Sequence, residues 1–196
     1  KAETSTEPLN RAENILTMAS TETGDPSSTA ALGKVYLATG KFEQANSLFE
    51  RASHTDKNNA EIYSDWGASL LELGKIKRVS GERAKSVELF DQALGRLDNA
   101  IKLVPGSLEA RFNRALCLES LYLAEEAKKA WSDYIAADNS SDWAVEARQK
   151  LVRFGGTNDV DADKLREDFI AAAAIGDRVT AWHLLSANRE LILRKY

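Results

Sequence analysis

A spacing of 34 residues recurs through the middle of the chain. Gly33 and Gly67 stand at that distance, as do Gly40 and Gly74, Lys41 and Lys75, Ala93 and Ala127, and Val104 and Asp138. Self-similarity at such a period marks an array of small supersecondary units, and 3 Pro among many Ala, Leu, Glu and Lys make those units helical. One such unit cannot bury its apolar face alone, so neighbours must stack into a solenoid. The residue sizes agree with that demand. Small residues (Gly33, Gly67 and Ala115 on the first helices, Ala45, Ala93 and Ala127 on the second) let backbones approach closely. Tyr36, Phe49, Trp66 and Trp131 fill the space between units. The expected fold is all-α.

Composition removes several function classes. Lys and Arg number 26 against 30 Asp and Glu, a formal net charge of -4, so the wide basic field of a nucleic-acid binder is absent. One cysteine permits no intrachain disulfide, and His54 and His183 are the only imidazoles, too few for a zinc site. No metal or cofactor is expected. No apolar run approaches the ~20 residues of a membrane span, and the start lacks a signal-peptide apolar region. The chain begins with Lys1, which reads as a fragment of a longer protein. The sequence names no compartment; the cytoplasm is the preferred reading.

The first unit, residues 26–59, carries Leu32-Gly33, Tyr36, Gly40, Ala45, Phe49 and Ala52. The second, residues 60–107, carries Tyr63, Trp66-Gly67, Leu70 and Gly74; the third, residues 108–141, carries Ala115, Leu118, Ala127, Trp131 and Tyr134. In period and residue type the stretch 26–153 resembles the tetratricopeptide repeat (TPR) family. The resemblance implies a right-handed superhelical solenoid of antiparallel helix pairs. The family's turn proline survives only as Pro105, with Lys57 and Asn139 at the matching places, and Ala115 replaces the usual glycine.

The second unit is long. Gly67 and its counterpart Ala115 are 48 residues apart, 14 more than one period. Split equally between two helices, the extra residues Ile76 to Leu89 move the turn from Gly74 to Gly81, inside Val-Ser-Gly-Glu. Ile76 and Val79 continue the apolar pattern and favour a lengthened hairpin over a solvated loop at 75–82.

The flanks read as helices. Residues 1–25 hold one amphipathic helix, Leu9 to Ser20, and a loop, with Asp25-Pro26 as a helix start. Asp142 to Arg153 takes the place of a capping helix, with Trp143, Ala147 and Leu151 available for packing, and Phe154-Gly155-Gly156-Thr157 ends it. Residues 154–196 suggest a hairpin, about Ala162–Ala174 and Arg178–Arg194, joined at Gly176-Asp177. Its apolar residues, Leu165, Phe169, Ile170, Val179, Trp182, Leu185 and Leu191, are expected to pack on the array. The strings Ala110-Arg111-Phe112-Asn113-Arg114-Ala115-Leu116, Ala130-Trp131 and Ser141-Asp142-Trp143-Ala144, with Ala171 to Asp177, resemble the repeat region of large bacterial proteins that end in a CHAT-type, caspase-like peptidase domain. That resemblance implies a peptidase domain beyond Tyr196.

No enzyme signature is present. Cys117 lies at a packed helix position and reads as core, His54 as a helix-end residue and His183 as surface. The carboxylates fall at helix-surface spacing, and Gly155-Gly156-Thr157 lacks the lysine of a phosphate loop. In the resembling family the concave groove, lined by the first helix of each unit, holds peptides. Mapped here, that face carries Lys34 and Leu37, then Glu61, Asp65, Leu71 and Glu72, then Glu109, Phe112, Asn113, Leu116 and Glu119. The family's carboxylate-clamp places hold Ala30, Lys34, Asp65, Glu109 and Asn113, and only Lys34 and Asn113 suit a carboxylate. The expected function is a non-catalytic protein-interaction scaffold for a peptide or a domain of the same full-length protein, without nucleic acid or membrane. A cationic segment beside an apolar anchor is the expected ligand. The alternatives are a recruiting arm of a CHAT-type peptidase, a structural oligomerisation module, or a face that is only solvated or self-packed.

Overall fold

A computed structural model describes residues 7–22, 24–155, 162–187, 189 and 192. Among them are ten helices and no strand: α1 Glu7–Glu22, α2 Pro26–Ala38, α3 Phe42–Thr55, α4 Ala60–Val79, α5 Arg83–Leu103, α6 Leu108–Ser120, α7 Ala124–Ala137, α8 Asp142–Gly155, α9 Ala162–Ala174 and α10 Arg178–Ala187. Pairs α2–α3, α4–α5 and α6–α7 form antiparallel hairpins that stack in order, with α1 on α2 and α8 on α7. None of these helices is long and apolar enough to cross a membrane.

Side chains start several helices by accepting the first free amides. Asp25 accepts from Ser28 N at 2.8 Å, with Pro26 opening α2. Asn59 accepts from Glu61 N and Ile62 N, and Ser107 from Ala110 N. The hairpins turn by one rule: the second residue after each first helix is left-handed. Gly40, Gly81 and Gly176 do so at φ 75°, 85° and 77°. Tyr122 does so at 58° without glycine's freedom.

The core repeats a small-against-large motif. A Cβ on Gly33 would lie 2.7 Å from the Phe49 ring, one on Gly74 2.6 Å from Phe90, and one on Gly67 2.5 Å from Leu97 Cγ. These glycines are contact surfaces for the second helix of their own hairpin. Gly67→Ala should therefore cost ~1–3 kcal/mol by overpacking, because the Ala93 carbonyl at 3.2 Å also closes the space. Gly95 on the exposed side of α5 meets nothing within 4 Å. Gly95→Ala should instead stabilise by ~0.5–1 kcal/mol. Thermal unfolding of the two variants reads the opposite signs directly.

Helices α4 and α5 run for 20 and 21 residues and turn at Ser80-Gly81-Glu82. The residues that argued for a lengthened hairpin are not packed: Ile76 is half exposed and Val79 is 90% exposed. The helices run on because their backbone bonds continue and because Arg78 and Arg83 are held elsewhere. Helix α1 extends to Glu22, which shortens the expected loop before Pro26. Helix α8 continues through Phe154 to Gly155, past the expected end at Arg153. Gly156, Thr157, Leu191 and Arg194 lie outside the described residues.

After α8 the chain folds back. Helix α9 packs on α5. Asp168, fully buried, meets Arg78 Nη2 at 2.9 Å and Arg83 Nη1 at 3.5 Å, and Arg83 also pairs with Glu167. The Arg78 guanidinium stacks between the Phe90 and Tyr122 rings, 4.7 and 5.1 Å from their centroids, and donates to the Ser120 carbonyl at 2.9 Å. Tyr122 hydrogen-bonds Asp168 in turn. The insertion in the second unit is thus the platform on which the C-terminal hairpin sits. Leu165 and Leu184 are buried there, but Ile170, Val179 and Trp182 face outward, contrary to the packing expected of them.

Candidate functional site

Ion pairs tie the first helices of successive hairpins together along one face. Lys34 of α2 bonds Glu61 of α4 and lies 3.6 Å from Asp65 of the same helix. Lys150 of α8 lies 3.3 Å from Glu119 of α6. Glu109 of α6 is close enough to Asp65 to act on its titration. Lys34, Glu61, Asp65 and Glu109 therefore lie close together, while Glu119 is held separately by Lys150.

Asp65 is 7% exposed, and burial pushes its carboxyl up to about 6, with Lys34 pulling it down and Glu109 and Glu61 pushing it further up. Folded Asp65 then holds its proton at pH values where the unfolded chain has lost it. Its contribution to stability is fully present below pH ~4 and is lost as pH rises through about 6. Asp65→Asn should stabilise the protein by ~1–2 kcal/mol at pH 7–8 and flatten the pH dependence of unfolding between about 4 and 6. Denaturant titrations across that range would expose a wrong sign.

At the N-terminal ends of α6 and α8 the same face opens into a cleft of about 400 Å³. Its lining includes Leu108, Glu109, Phe112 and Asn113 from α6, Tyr134 from α7 and Trp143 from α8, closed by the turn at Asp138 and Ser141. Phe112 is the hub of the aromatic wall. Trp131, Tyr134 and Trp143 stand edge-on to it at 5.0, 5.2 and 4.8 Å. The turn is fixed by its own bonds: Asp138 accepts from the Tyr134 hydroxyl, Ser141 N and the Ser141 hydroxyl, which hold its carboxyl down at about 2. Ser141 Oγ accepts from Ala144 N, capping α8.

The sequence-derived groove is partly redrawn. Leu71 is 1% exposed and belongs to the core, so it offers a ligand nothing. The reason is its place on α4: Leu71 lies between Gly67 and Gly74, on the strip that meets Leu97 and Phe90 of α5. Leu37 and Leu116 are half-buried against the core, and Glu72 is bonded to Lys75 beside it. Phe112, Asn113 and Glu109 come together at the cleft, apart from Glu72 and Glu119 along α4 and α6. Trp143, Tyr134 and Leu108 were not expected there. Trp143 stands 34 residues after Glu109, so the period itself carries the missing signal.

Other reactive groups are occupied. Cys117 is fully buried and burial raises its thiol pKa strongly, as suits a core residue. Among the described residues no group of His, Cys, Asp and Glu is arranged to hold a metal.

Compared with solved structures, this architecture has the fold of TPR solenoids. TTC0263, a thermophilic TPR protein of Thermus thermophilus, is 18% identical with a TM-score of 0.60, covering 91% of this chain and 90% of its own. YrrB, a TPR protein described as having an unusual peptide-binding site, is 20% identical at TM-score 0.55, covering 95% and 79%. The second TPR domain of human RPAP3, solved with an HSP70 peptide, is 19% identical at 0.54, covering 67% and 99%. At these identities the likeness speaks to the fold. No protein-family model and no curated protein matches the chain.

Proposed function

We propose that the chain is a non-catalytic interaction scaffold that holds a peptide, or a segment of a neighbouring domain, along the face built from α2, α4, α6 and α8. The observation that carries this reading is an apolar cleft set beside a row of carboxylates on one face. The peptide seen on the RPAP3 domain and the site ascribed to YrrB support it by analogy of fold. A free carboxylate is a poor ligand here. Lys34 is committed to Glu61 and Asp65, and Glu109 repels a second anion. The preferred partner carries Lys or Arg near an apolar residue, and its binding weakens with salt.

Selection from a random-peptide display library tests the reading. Basic peptides should be enriched, and Glu61→Lys combined with Glu109→Lys should weaken them and reverse the salt dependence. Enrichment of acidic peptides, or equal binding by the double variant, would remove this face as the site. The strings within 110–148 and 171–177 favour a finer version, in which the array recruits substrates for a CHAT-type peptidase on the same polypeptide. A His/Cys peptidase domain encoded downstream is the check on that version.

A further inference from the structure

The cleft between α6 and α8 has two properties that one kind of side chain satisfies together. Its walls are apolar and aromatic: Leu108, Phe112, Tyr134 and the 59% exposed Trp143. Its rim is anionic. Glu109 has no ion-pair or hydrogen-bond partner among the described residues, and Asp65 lies further along the same face. An arginine or lysine side chain combines an aliphatic stem with a cationic head. The stem suits Leu108 and the ring edges. The head is drawn to ring faces and to the Glu109 carboxylate at once.

Alternative occupants fit less well. Ser107 already takes the Ala110 amide at the start of α6 and Ser141 the Ala144 amide at the start of α8, and the Glu109 carboxylate in the cleft lining opposes an anion. The cationic side chains nearest in sequence do not fill the cleft. Arg111 donates to the Pro105 carbonyl at 2.8 Å, Arg148 to the Asn139 carbonyl at 2.5 Å, and Arg114 to Asp98 at 2.5 Å. A purely apolar side chain would cover the walls but leave Glu109 beside an excluded-water contact without a counter-charge.

We infer that this cleft is the specificity pocket of the scaffold, and that its occupant is the side chain of an arginine or lysine in an extended peptide. The inference rests on the peptide-binding reading and sharpens it: anchor and cation are one side chain, not two neighbours. Trp143 and Phe112 contact the stem, and Glu109 receives the head.

The test uses the whole chain, nitrogen-15 labelled, with capped peptides Ac-Ala-Ala-X-Ala-Ala-amide in which X is Arg, Lys, norleucine or Glu. The probe signal is the Trp143 indole N–H resonance, assigned by its loss in Trp143→Phe. Arg and Lys should shift it saturably. Norleucine, which keeps the stem and lacks the charge, should bind roughly fivefold more weakly. Glu should leave it unmoved. Glu109→Gln, at an exposed position, should lower Arg to the norleucine level. The inference is overturned if norleucine binds as tightly as Arg, if Glu shifts the signal, or if Arg gives no saturable shift up to about 20 mM. A norleucine preference leaves the scaffold reading standing with an apolar pocket. That reading falls instead on the library outcomes: enrichment of acidic peptides, or equal binding by the Glu61→Lys, Glu109→Lys variant.

Discussion

Trp131→Ala should cost about 3–5 kcal/mol of unfolding free energy, the largest loss expected from any single truncation in the array. The side chain is fully buried on α7 and packs edge-on against Phe112 of α6. Removing it leaves a cavity between the third hairpin and its neighbours, and stacked units depend on those contacts for their stability. The indole Nε1 finds no hydrogen-bond acceptor in this environment. Trp131→Phe removes that unsatisfied donor together with part of the volume, so it should cost less than half as much. Urea denaturation separates the two, provided the slope with denaturant is unchanged. A loss under about 1 kcal/mol for the alanine variant would show that α7 packs elsewhere. The same variant should also blunt the response of Trp143 to cationic peptides, because Phe112 would lose one of its supporting rings.

Asp168→Ala should release the C-terminal hairpin. Breaking a buried ion pair by removing one partner costs about 3–5 kcal/mol when the other cannot rehydrate. Arg78 and Arg83 keep 21% and 30% side-chain exposure, so part of that cost is recovered by water. The remainder falls where α9 meets the tip of the α4–α5 hairpin, at Arg78 of α4 and Arg83 of α5, and the effect should be local. Hydrogen exchange is the discriminating measurement. Amides of α9 and α10 should lose protection while those of α4 and α5 keep theirs. Uniform loss across all helices would mean that the hairpin and the array unfold as one unit. Because Arg78 also supports the left-handed Tyr122, the turn between α6 and α7 should loosen with the hairpin.

The parts of this fold that repeat could be read from the sequence. Gly33, Gly67, Ala45, Ala93 and Phe49 mark close helix contacts because size alternates at a fixed spacing, and spacing survives without an alignment. The turn at Gly81 followed from dividing the extra residues evenly. What repeats only once was hidden. Asp168 lies in an ordinary charged helix, and nothing in its neighbourhood marks it as the buried partner of arginines some 90 residues earlier. Val79 and Trp182 are apolar at helical spacing yet exposed, since periodicity reports a face and not whether anything covers it. The cleft was half legible. Glu109, Phe112 and Asn113 followed from the register, whereas Trp143 was assigned to a cap, so its place as the opposite wall went unread. Leu71 erred the other way: the register put it on the groove, and it lies buried on the strip of α4 that faces α5.

The Arg78–Asp168 contact also dictates an order of assembly. Every other large contact joins helices that are neighbours or near neighbours in the chain. Bringing residues 90 apart together in an unfolded chain would cost about 4 kcal/mol of closure entropy. Once the stacked hairpins exist, they already carry the end of α8 and the tip of the α4–α5 hairpin at set positions. Only the stretch between Gly155 and Ala162 then has to close. Docking of α9 and α10 is therefore cheap late and expensive early. The array should form first from local contacts, with the last two helices arriving as a separate, slower kinetic phase that Asp168→Ala deletes and Trp131→Ala leaves in place.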